Sequence, residues 1–90
     1  MPPTSIEYSL PAVQALKRIP EPDRGRIRGK IKALAEDRQA QANNVKMLHG
    51  YDGMWRLRVG DWRVLYRDDV DVLRIMDIKA RGNAYRKGKR

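Results

Sequence analysis

The apolar positions of this chain change period once, and the change separates a helical half from a stranded half. Val13 and Leu16, and then Ile27, Ile31 and Leu34, recur at helical spacing, which turns each set toward one face. Ser9 is a good N-cap and Pro11 suits a first turn, so the pattern predicts a helix from Leu10 to about Ile19, after a short strand at Ile6 to Tyr8. Pro20 ends that helix. Glu21-Pro22-Asp23 opens a second by the same logic, and it runs to about Asp37. The two make a helical hairpin with a very short connection.

Gln39 to Gly53 reads as a loop, polar at first and then carrying Val45, Met47 and Leu48 to tuck it against the core. From Met54 the period becomes two. Met54 to Val59 alternates, Gly60-Asp61 supplies a two-residue turn, and Trp62 to Arg67 alternates again, which predicts a β-hairpin. Asp68 to Asp71 reads as a second turn. Val72 to about Ala80 then reads as a third strand, apolar on both faces and therefore central. The predicted order is β-α-α-β-β-β, an α+β class with a small, mainly antiparallel sheet and the helical hairpin on one face.

The two-residue turn fixes the pairing: Val59 faces Trp62, Arg58 faces Arg63, Leu57 faces Val64, Arg56 faces Leu65 and Trp55 faces Tyr66. One face is then apolar, and the other gathers Arg56, Arg58, Arg63 and Arg67. Trp55 and Trp62 fall on the arginine-free face, where they read as core rather than as a platform for bases. Arginines directly opposite one another repel, at a cost of up to about 1 kcal/mol, so stability does not explain the choice. A phosphate chain would restore the balance; Asp77 of the next strand or a partner protein are the alternatives.

Composition agrees with one small domain. Ninety residues with 41% apolar side chains make one core, expected over residues 1–86 with a disordered basic tail at 87–90. The absence of Cys excludes disulfides and thiolate chemistry, and no apolar run approaches the roughly 20 residues of a membrane span, so a cytoplasmic protein is expected. The net charge of +9 favours a polyanionic partner, and from Lys79 onward there are six Lys or Arg and no acid. Arg24, Arg26, Arg28, Lys30 and Lys32 also coat the second helix, but a charged helix is more often a solvated face.

The run Met54-Trp55-Arg56-Leu57-Arg58-Val59-Gly60-Asp61-Trp62-Arg63-Val64-Leu65-Tyr66-Arg67, with Leu73-Arg74-Ile75 and Lys79 to Arg86 behind it, resembles the RelE/ParE superfamily of toxins from bacterial type II toxin–antitoxin pairs. The resemblance covers nearly the whole chain and is closest to the RelE-like branch. It implies a compact α+β fold with a basic, concave surface facing RNA, and an endoribonuclease that enters the ribosomal A site and cuts mRNA. Carried over by resemblance, the catalytic set is Arg56, Arg58, Arg63, Lys79, Arg81 and Tyr85, with Arg67, Arg86 and Lys87 as further RNA contacts. Implied partners are a cognate antitoxin, forming a toxin–antitoxin hetero-oligomer, and mRNA and the ribosome with its rRNA, with no membrane and no cofactor. The chain departs from the pattern at Lys79, where an arginine is often found, and in its short end after Tyr85.

The alternative that the superfamily leaves open is a ParE-like toxin that inhibits DNA gyrase by binding; a third is an inactive, RNA-binding relative. His49, the only histidine, would be the first acid–base candidate of an ordinary ribonuclease. It sits in the loop before the hairpin at a position variable in the family pattern, and is not chosen. Asp68, Asp69 and Asp71 crowd a turn without the spacing of a calcium loop, and no metal site is expected.

Overall fold

The computed structural model describes residues 4–48, 50, 53–69 and 71–80. Its elements run β1 (Ser5–Tyr8), α1 (Leu10–Arg18), α2 (Asp23–Glu36), a 3-10 helix (Gln39–Asn44), β2 (Val45–Met47), β3 (Met54–Val59), β4 (Trp62–Asp68) and β5 (Val72–Ala80). The sheet order is β1-β5-β4-β3-β2, with β1 parallel to β5 and the other pairs antiparallel. The expected α+β architecture stands, with two short elements, the 3-10 helix and β2, in the segment expected to be a loop. The short edge strand β2 pairs Val45 with Leu57 and Met47 with Trp55.

Ser9 starts α1 and also fixes it to the sheet. Its Oγ accepts from the Ala12 N–H at 3.2 Å and donates to the Met76 carbonyl at 2.7 Å. Ala12, Leu16 and Ile19 are buried, whereas Val13, expected inward, is only half-buried. The cap sets the phase of the helix, and that phase turns Ala12 rather than the larger Val13 to the sheet. On α2 the stripe Ile27, Ile31 and Leu34 is fully buried, as its spacing predicts. The helices cover Leu57, Val59, Val64, Tyr66, Leu73, Ile75 and Ile78, with Trp55 and Trp62 packed at the margin of this core.

The central place of β5, between β1 and β4, is as expected, but its two-faced apolarity has another origin. Tyr66 pairs with Ile75 and Leu65 with Asp77, so Met76 is an extra residue in a β-bulge. The bulge shifts the alternation by one, and Leu73, Ile75 and Ile78 all turn to the helices while Arg74, Asp77 and Lys79 share the other face. At the far end of the core, Arg38 holds Asp68 through Nε and Nη2, the latter at 2.8 Å, and its Nη1 donates to Thr4 Oγ1 at 3.0 Å. Among the described residues no helix is long and apolar enough to cross a membrane.

Candidate nucleic-acid interface

The hairpin pairs in the register that a Gly60-Asp61 turn dictates, and Gly60 has the positive φ (+58) such a turn needs. Arg58 is opposite Arg63, and Arg63 is opposite Lys79 on the next strand. Three cations therefore lie in one cross-strand row on the face away from the helices. With strands about 4.8 Å apart, the row spans about 10 Å. A parallel row carries Lys46 opposite Arg56, and a third sets Arg67 against Arg74.

These cations differ in their surroundings. Arg58 and Lys79 are exposed, Arg56 and Arg67 are half-buried, and Arg63 is only 6% exposed. Arg63 folds back on the turn, where its Nη1 donates to the carbonyls of Gly60 at 3.2 Å and Trp62 at 3.1 Å. Its buried Nε has no hydrogen-bond partner among the described residues. A guanidinium stays charged under any ordinary burial, so the hairpin holds a fixed, partly unsatisfied cation. Asp77 does bring a carboxylate to this face, but its pair is Lys79, at 3.4 Å, rather than the arginines. That exposed contact is worth little.

Several other acids are engaged elsewhere. Arg74 meets Glu7 and Asp69, both at 3.1 Å, at the opposite end of the sheet. Trp62 donates from Nε1 to Asp23 Oδ2 at 3.1 Å, which ties the first turn of α2 to the hairpin and keeps the indole on the helix side. Among the described residues no group of three His, Asp or Glu could hold a metal ion. Arg81, Tyr85, Arg86, Lys87 and His49 lie outside the described residues, as does the tail 87–90.

Two features of the interface were not read from the sequence. Lys46 joins the basic face because β2 exists, and a three-residue strand with one packed side chain leaves almost no periodic signal. Arg26 and Lys30 of α2 come beside Arg58 and Arg63 at the hairpin tip, around an open pocket of about 370 Å³ that also touches Asn44. In the sequence these two are part of the charged coat of the second helix, and nothing in the helical period says which strand they would meet.

A mainly antiparallel sheet with a helical hairpin on one side is also the fold of chains in toxin–antitoxin complexes already solved. The chain superimposes on RelE in the archaeal RelE–RelB complex of Pyrococcus horikoshii with a TM-score of 0.73, at 24% identity over 91% of this chain and 99% of that one. The likeness to the RelB–RelE complex of Methanococcus jannaschii has a TM-score of 0.73 at 21% identity, over 92% and 99% of the two chains. For the DinJ–YafQ complex of E. coli the values are 0.71 and 18%, over 93% and 99%. These likenesses establish the fold. Residues 6–85 match the family model of the ParE toxin of type II toxin–antitoxin systems, parDE, and the chain belongs to that family. No curated protein sequence matches it.

Proposed function

We propose that this toxin is an mRNA endonuclease that acts on the ribosome in the cytoplasm and is held in check by a cognate antitoxin. The observation that carries the reading is the row Arg58, Arg63, Lys79 on the helix-free face, a like-charge arrangement that costs stability and suits a phosphodiester. The antitoxin is suggested by the relatives crystallised with RelB and DinJ.

In the proposed reaction the RNA 2′-oxygen attacks the adjacent phosphorus, the bond from phosphorus to the 5′-oxygen breaks, the 2′-OH proton is removed and the leaving oxygen is protonated. The products are a 2′,3′-cyclic phosphate and a 5′-hydroxyl. Arg63 with Lys79 or Arg81 clamps the phosphate, Arg56 and Arg58 offset the charge that develops on it, and Tyr85 stacks on a base or moves a proton. Arg67, Arg86 and Lys87 extend the contact with mRNA and rRNA. Lys and Arg stay protonated near neutrality, so acid–base power is low and most of the rate must come from in-line positioning by the ribosome.

The test is translation of a defined mRNA in vitro with mapping of the cut ends. Codon-phased cuts by the wild type that vanish with Arg63→Ala and with Tyr85→Phe are expected. The family's own description, a ParE toxin, favours a second reading, inhibition of DNA gyrase by binding alone. Intact mRNA together with blocked gyrase supercoiling would select it and sink the nuclease.

A further inference from the structure

The pocket at the hairpin tip lies off the sheet face, and four cations line it with no acid among its walls: Arg26 and Lys30 from α2, Arg58 and Arg63 from the hairpin. It exists because β2 stops short. Val45 pairs with Leu57, so β3 has no strand partner on this edge from Arg58 onward, where Asn44 of the 3-10 helix and Arg26 and Lys30 of α2 come to the pocket. Asp23 takes Arg26 Nη1 on Oδ1 at 3.1 Å while its Oδ2 accepts from Trp62, so Arg26 is held toward the tip. Lys30, Arg58 and Arg63 make no ion pair among the described residues. The buried Nε of Arg63, a pocket-lining residue, is without a partner there. An adjoining hollow contains Asp23 and Asp61, which bounds the positive region on one side.

We propose that this pocket binds a second backbone phosphate of the nucleic acid, so that the strand leaves the cationic row, turns over the open edge of β3 and ends against Lys30 and Arg26. The inference rests on the nucleic-acid reading of the face. Continuity favours a polynucleotide over an acidic peptide. Arg58 and Arg63 belong both to the row and to the pocket, and a chain with a charge on every unit can serve both at once. At about 370 Å³ the pocket falls within the range of small-ligand sites. α2 is then a second wall of the nucleic-acid site, and Lys30 and Arg26 set the path of the strand without touching the reacting atoms.

The experiment is fluorescence anisotropy of the full chain with 2′-O-methyl RNA, which cannot undergo 2′-OH attack, in probes of about ten and about three nucleotides. Lys30→Gln and Arg26→Gln are compared with Lys32→Gln, an exposed α2 substitution outside the pocket. Lys30→Gln is expected to weaken the longer probe several-fold and to lower its salt slope by about 0.7, the loss of one contact to a single strand, with the short probe unaffected and Lys32→Gln like wild type. Pocket variants that match wild type in affinity and slope on the longer probe would overturn the proposal. So would an equal loss with Lys32→Gln, or a loss of antitoxin affinity with RNA affinity intact, which would mark the pocket as a seat for an acidic side chain. Failure of the wild type to bind either probe would overturn the nucleic-acid reading and this inference together; a wild type that binds beside indifferent variants overturns this inference alone.

Discussion

Tyr66 and Arg63 are both buried polar side chains of β4, and they point to opposite faces of it for opposite reasons. Arg63 keeps a charge with no carboxylate paired to it among the described residues, held instead by the Gly60 and Trp62 carbonyls. Tyr66 sits under the helices, and burial, reinforced by Asp68 and opposed by Arg38, raises its hydroxyl from 10.0 to about 12. The unfolded tyrosine ionises near 10, so between about pH 10 and 12 the folded state holds more protons than the unfolded one. Stability therefore falls as pH rises through that window, by an amount of order 2 kcal/mol. Burial raises Tyr8 as well, so phenolate absorbance during alkaline titration should show late-ionising tyrosines, of which the Tyr66 step moves later with Arg38→Met and earlier with Asp68→Asn. Arg38→Met should also cost about 1–3 kcal/mol in urea denaturation, because it strips the half-buried Asp68 of its paired donors.

Ser9 does for the elements what Arg38 does for one corner, since a single hydroxyl caps α1 and engages the carbonyl of the bulged residue of β5. Ser9→Ala removes both contacts and is expected to cost about 1–2 kcal/mol, read as a lower urea midpoint with an unchanged m-value. The elements that were legible beforehand are those in which many residues repeat one message. Six consecutive alternating positions and a Gly60 turn specify β3 and β4 with their register, and three buried side chains at helical spacing specify α2. Because the hairpin register was legible, the Arg58–Arg63 opposition was too. What escaped rests on single residues. Val45 alone ties β2 to the core, and Met76 is apolar enough for either face, so no pattern distinguishes a bulge there from regular alternation. The tip pocket escaped because it depends on how α2 lies across the sheet, which no local period encodes.

Over the whole molecule, the surplus of +9 is unevenly answered. Among the described residues Glu7 and Asp69 serve Arg74, Asp68 serves Arg38, and Glu21 and Asp23 serve Arg24 and Arg26, so the row Arg58, Arg63 and Lys79 has one ion-pairing acid there, Asp77. That row, however, depends on a matter of parity. In an unbroken strand residues an odd number apart face opposite ways, yet Ile75 and Ile78 share the covered face and Arg74 and Lys79 the open one, because Met76 adds one to the count. The sheet can lose the added residue but not its neighbour two places on. Deleting Met76 leaves a continuous ladder in which Asp77 still meets Leu65 and Lys79 still meets Arg63. Deleting Ile78 forces either Asp77 or Lys79 against Val64, beneath the helices. Near-UV circular dichroism should accordingly show native packing in the first deletion and none in the second. A one-residue miscount, invisible in composition or charge, would carry the last lysine of the row through the sheet.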